Sequence, residues 1–86
     1  MNGYRVAVTA TAVKERQKLD VTTRQRIDKA LQGLIENARP SGAKKLAGSA
    51  NDWRIHVGDY RILYEVDDRG RLITVWRIAH RREVYR

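Results

Sequence analysis

From residue 53 onward the apolar residues recur with a period of two, and this constrains the fold more than any other feature of the chain. Residues 53–57 (WRIHV), 60–66 (YRILYEV) and 72–78 (LITVWRI) read as three successive strands. Only Gly58 and Asp59 separate the first two, which fits a two-residue hairpin turn with glycine in the first central position. Asp67, Asp68, Arg69 and Gly70 supply the second turn. The C-terminal half is therefore an antiparallel meander.

The hairpin turn also dictates which side chains share a face. With Gly58 and Asp59 at the tip, Val57 faces Tyr60, His56 faces Arg61, Ile55 faces Ile62 and Arg54 faces Leu63. One side then carries Trp53, Ile55, Val57, Tyr60, Ile62, Tyr64 and Val66, a core face. The other carries Arg54, His56, Arg61, Leu63 and Glu65. A slip of one residue would bury the charges, so this register is strongly preferred.

Upstream of the meander, residues 4–9 put Tyr4, Val6 and Val8 on one side of a short strand, and residues 10–19 read as a short helix. Thr22 and Gln25 have the spacing of a capping box. They open a second helix, with Ile27, Leu31, Leu34 and Ile35 at helical intervals, which must stop before Pro40. Residues 41–52, with Gly42, Gly48, Lys44 and Lys45, read as a loop. The tail, residues 79–86, is expected to be a turn or a short extended piece with Tyr85 placed by packing. The whole is a single α+β domain over residues 1–86: an N-terminal strand, a two-helix hairpin and a three-stranded meander. The helices lie on one face of a four-stranded, mainly antiparallel sheet whose other face is partly open.

Composition narrows the chemistry. There is no cysteine, which excludes disulfides, thiolate metal sites and cysteine nucleophiles, and two histidines cannot by themselves build a structural zinc site. No cofactor or metal is expected. No apolar run approaches a membrane span and the N-terminus lacks a secretory signal pattern, so the expected location is the cytoplasm, with no membrane partner. The formal charge of +8 favours a polyanionic partner, and arginine heavily outnumbers lysine. The planar guanidinium holds phosphate or carboxylate in a bidentate way that ammonium cannot.

The open face collects suitable groups for work on such a partner. Cations around His56 and Tyr85 disfavour protonation of the imidazole and favour loss of the phenolic proton. Arginines there can hold a phosphodiester and stabilise charge developing on it. Together they could cleave RNA by attack of a ribose 2′-hydroxyl on the adjacent phosphate. The blander alternatives are an exposed strand histidine without a task, and an Arg61 held in a salt bridge to Glu65 or Glu83.

At these residues the chain resembles the RelE/ParE superfamily of bacterial and archaeal type II toxins, most closely the RelE-like mRNA interferases. The resemblance rests on Lys45-Leu46-Ala47-Gly48, on residues 53–64 (WRIHVGDYRILY), on the tail 80–85 (HRREVY), and on the order of elements across nearly the whole chain. It implies ribosome-dependent cleavage of mRNA in the A site without a metal, and a cognate antitoxin that wraps the toxin. Operator DNA would be bound only through the toxin–antitoxin complex. By position, Arg61 matches the phosphate-contacting arginine, Arg81 the arginine near the leaving group, and Tyr85 the C-terminal tyrosine that stacks or carries a proton. Arg54 and His56 fall where well-known members carry two lysines, which leaves His56 as first choice for the general base. Lys44, Lys45 and Arg82 are further candidates for RNA contact. Two other readings stay open: a ParE-like toxin that blocks DNA gyrase by binding, and a catalytically degenerate antitoxin-binding member.

Overall fold

The computed structural model describes residues 3–84. In chain order the elements are β1 (Arg5–Val8), α1 (Ala10–Gln17), α2 (Val21–Glu36), β2 (Lys44–Lys45), β3 (Asp52–Val57), β4 (Tyr60–Asp67), β5 (Leu72–His80) and α3 (Arg81–Val84). The α+β class and the meander are as the sequence patterns predict. The sheet, however, has five strands rather than four, in the order β1-β5-β4-β3-β2. Lys44 and Lys45, expected in a loop, form the edge strand β2 opposite Arg54 and Trp53. Two lysines have no hydrophobic alternation to betray a strand; the backbone of β3 recruits them. β1 pairs with β5 in parallel and every other pairing is antiparallel.

The hairpin register agrees with the turn argument at each of its pairs, from Val57↔Tyr60 to Arg54↔Leu63. Gly58 has φ 61°, and Asp59 is not among the residues of positive φ, as a turn with glycine first requires. Beneath the core face lie α1 and α2, which contribute Ala12, Ile27 and Leu34 to a cluster with Ile55, Ile62, Tyr64, Val66, Ile73, Val75 and Ile78. Tyr64 is fully buried, and its hydroxyl donates to the Ala38 carbonyl at 2.7 Å. Burial pushes its phenol up to about 12.

Capping accounts for two differences from the sequence reading. The N-cap of α2 is Asp20, whose carboxylate accepts from the Thr23 N–H, so the Thr22–Gln25 box is not the device used. Asp20 accepts from the Thr23 hydroxyl as well, at 2.6 Å, and one residue thus meets two donors. The tail is helical from Arg81 to Val84, not a turn or an extended piece. His80 supplies the reason. Its Nδ1 accepts from the Arg82 N–H at 3.2 Å while the Glu83 carboxylate accepts from the His80 N–H at 3.3 Å, a reciprocal box at the helix start.

Two carboxylates knit elements far apart in sequence. Asp68, in the β4–β5 turn, accepts two bonds from Arg39 at 3.2 and 2.9 Å and one from the Tyr4 hydroxyl at 2.6 Å. Chiefly through Arg39, its carboxyl is held down at about 2. Glu15 of α1 accepts from Arg77 Nε at 2.8 Å and from the Ile78 N–H at 2.7 Å. The ladder between β1 and β5 ends at Val8 and Val75, so Glu15 takes over where the edge of β5 would otherwise stand open. No helix among the described residues is long and apolar enough to cross a membrane.

Replacing Tyr64 with Phe leaves the Ala38 carbonyl buried without its donor, an expected cost of about 1–3 kcal/mol. Urea unfolding of Tyr64→Phe measures it; an unchanged midpoint would contradict the structural role given to this bond.

Candidate active site

The site is built from three adjacent strands. His56 on β3 lies directly opposite Arg61 on β4, and Arg54 lies one alternate position back along β3. β2 adds Lys44, which pairs with Arg54 and so joins the same face. Lys45 pairs with Trp53 and belongs to the opposite face, away from the cluster. The next row along the strands is Asp52 opposite Glu65. The face therefore runs from cationic near the hairpin tip to anionic further along, which directs a polyanion toward the tip.

Arg61 is the one charged side chain among the described residues that is buried, at 7% exposure. A guanidinium keeps its charge under these conditions, so burial places a fixed cation in a poorly hydrated setting where it acts strongly on its neighbours. Its Nη1 donates to the Tyr60 carbonyl at 3.3 Å. Leu63 and Ala79, buried on the same face, form the apolar floor around it. Arg54 is half-buried, while His56 and Lys44 are exposed.

The imidazole of His56 is held below its ordinary value of 6.5, first by partial desolvation and then by Arg61, Arg54 and Lys44. Each of these causes disfavours the imidazolium. At neutral pH the ring is a neutral base surrounded by cations.

The tail approaches from β5. The Arg81 N–H donates to the Asp59 carbonyl at 2.8 Å, tying the start of α3 to the hairpin turn two positions from Arg61. α3 packs against β4 and β5, so Arg81 enters at the cationic end of the sheet. The side chains of Arg81 and Arg82 are exposed. Glu83, weighed as a partner for Arg61, is engaged with the His80 N–H. Tyr85 lies outside the described residues. Sequence reading missed the part played by His80, although the spacing of His80 and Glu83 is that of a capping box. It also left Lys44 in a loop, because only the fold brings that side chain beside Arg54. No group of three or more acidic or imidazole side chains suited to a metal occurs among the described residues.

Arranged in this way, the face can grip a phosphodiester with guanidinium groups and take a proton at an imidazole. Comparison with known proteins shows the family of the chain. The profile of the ParE toxin of the type II toxin-antitoxin system parDE matches residues 6–85. The archaeal RelE of the RelE–RelB complex from Pyrococcus horikoshii is 27% identical, with a TM-score of 0.83 over 94% of this chain and 97% of that one. RelB–RelE from Methanococcus jannaschii gives 30% identity and a TM-score of 0.74, covering 92% and 94%. The isolated E. coli RelE toxin gives 28% and 0.79, covering 90% and 83%. No curated protein sequence matches the chain.

The lowered imidazole value is directly measurable. An NMR titration of the His56 ring should give a midpoint below 6.5, and Lys44→Gln or Arg54→Gln should move it upward. Because the unfolded chain takes this proton first, the same shift predicts stability falling as pH drops through 6.5. A midpoint at or above 6.5 in the unaltered protein would contradict the electrostatics described.

Proposed function

The chain belongs to the RelE/ParE superfamily of type II toxins, and on that premise we propose that it is a ribosome-dependent endoribonuclease that cuts mRNA in the A site. The observation that carries this reading is a neutral-biased imidazole directly across the sheet from a buried arginine, on a face ringed by further cations. In the reaction, neutral His56 accepts the proton of a ribose 2′-hydroxyl as that oxygen attacks the adjacent phosphorus. The bond from the 2′-oxygen to phosphorus forms and the bond to the 5′-oxygen breaks, which leaves a 2′,3′-cyclic phosphate. Arg61 and Arg54 hold the phosphate and offset the charge that builds on its oxygens in the transition state. Arg81 serves the leaving oxygen, and Tyr85 stacks on a base or returns the proton to that oxygen. Lys44, with Lys45 and Arg82 further out, supplies sequence-independent attraction for the phosphate backbone.

Several solved relatives are complexes of RelE with RelB, which supports a cognate antitoxin as the partner that silences this chain. Operator DNA would be reached only through that complex, and the cytoplasm is the compartment where ribosome and antitoxin are met. A second reading is favoured by one observation, the ParE description of the matching profile. On that reading the chain blocks DNA gyrase by binding and cuts nothing. A supercoiling assay separates the two, and growth arrest on expression without an antitoxin excludes a degenerate scaffold.

Arg61→Ala should lower cleavage in a translating extract by about 10²–10³-fold, the usual cost of losing one donor to a developing oxyanion. His56→Gln should lower it by about 10²–10⁴-fold. The acid limb of the wild-type profile should fall below pH 6.5, where the imidazole becomes protonated. Folded variants that cut at the wild-type rate would refute the assignment.

A further inference from the structure

A groove of about 360 Å³ runs between α2 and the edge of β3, lined by Ala30, Gly33, Ser41, Gly42, Ile55 and His56 among others. It exists because β2 is so short. That strand covers β3 only at Trp53 and Arg54, and the chain before it bends away at Gly42, where φ is 92°. Among the described residues, the edge of β3 from Ile55 to the hairpin tip has no strand paired to it. Val57 and Tyr60 flank the two-residue turn, so Val57 and Ile55 turn their main-chain groups toward β4. His56 therefore turns its N–H and C=O toward the open edge. One residue serves two surfaces, with its ring on the cationic face and its backbone at the groove.

Gly33 gives the groove a second, independent mark. It sits inside the 16-residue helix α2, where glycine costs about 1 kcal/mol relative to alanine. A Cβ built there meets nothing within 4 Å, and Gly33 is not among the glycines of positive φ. Neither packing nor backbone conformation calls for glycine at this position. Gly33 lines the groove and leaves that stretch of its wall without a side chain.

We infer that this groove is a subsite for a nucleobase of the RNA, next to the bond that is cut. The inference rests on the ribonuclease reading above and deepens it. Ala30, Gly33 and Ile55 offer apolar walls to a flat ring. The adjacent donor and acceptor of the His56 backbone match the adjacent polar groups along a base's Watson–Crick edge, the edge by which unpaired RNA is read. The rim carries the charge a sugar-phosphate chain needs. The Arg26 guanidinium lies over Gly58, with Nη1 3.1 Å from where a Cβ would stand, and Lys44 and Arg54 lie on the other side of His56. An added peptide strand suits the place poorly, since one residue of open edge gives it too few backbone bonds. A strand of RNA held on Arg61 can instead cross the edge of β3 at His56 and set one base into the groove.

Gly33→Leu fills the groove from an exposed helix position, and Gly33→Ala controls for helix stability, which both changes should raise. The probe is a set of four 2′-O-methyl trinucleotides differing in one base, which cannot undergo 2′-hydroxyl attack. The amides of Gly33, Ser41 and Gly42 should shift on binding, and Gly33→Leu should weaken binding about tenfold. In a translating extract Gly33→Leu should redistribute the cuts among codons. Unchanged affinity and an unchanged cut pattern in folded Gly33→Leu would overturn the subsite, as would shifts at these amides from an antitoxin peptide but from none of the trinucleotides. A wild-type chain that binds trinucleotides in the groove yet leaves mRNA uncut would instead defeat the ribonuclease reading and keep the groove as a base site.

Discussion

The two-residue turn at Gly58 and Asp59 is the constraint on which the rest depends. Because the turn admits one register, it places His56 across from Arg61 and sends Ile55 and Ile62 to the core side together. Core and site are thus two faces of one decision. Moving the pairing by a single position would bring Arg61 into the apolar cluster and expose Ile62, so the packing that stabilises the domain also holds the cationic face in place. The same two-residue count turns the His56 backbone to the open edge, and the groove beside α2 follows from it.

Much of this architecture was legible because it is written in short-range patterns. Alternation located β3, β4 and β5, helical spacing located α2, and the turn set the pairing. What stayed hidden depends on partners distant in sequence or on groups with no periodic signature. β2 is two lysines that become a strand only because the backbone of β3 is available to them. The cap of α2 went to Asp20, whose carboxylate reaches both the N–H and the hydroxyl of Thr23 and so outcompetes the neighbouring Thr22 box. The tail became helical because His80, an uncommon capping residue, forms a box with Glu83. Long-range ties such as Asp68 to Arg39 and Tyr4, or Glu15 to the edge of β5, have no trace in local pattern at all.

The candidate site was legible to a similar degree. Arg54, His56 and Arg61 followed from register alone, whereas Arg81 needed the fold to bring it to the hairpin tip through the Asp59 carbonyl. The burial of Arg61 was not legible, since an arginine in a strand that otherwise alternates gives no sign of how deeply its neighbours cover it. That burial matters for chemistry. A cation shielded from water acts more strongly on the adjacent imidazole and on a bound phosphate than the same cation on an open surface. Guanidinium groups do not give up a proton, so on the ribonuclease reading the imidazole is the group proposed as base, and its surroundings favour the neutral form that a base requires.

On the ribonuclease reading, this face breaks an RNA chain by internal attack of a 2′-hydroxyl. The chemistry of the new ends tests it most directly. After expression of the chain in a translating extract, the 3′ ends of mRNA fragments should map inside codons and carry 2′,3′-cyclic phosphate. Intact mRNA, or fragments ending in a free 3′-hydroxyl, would contradict the account.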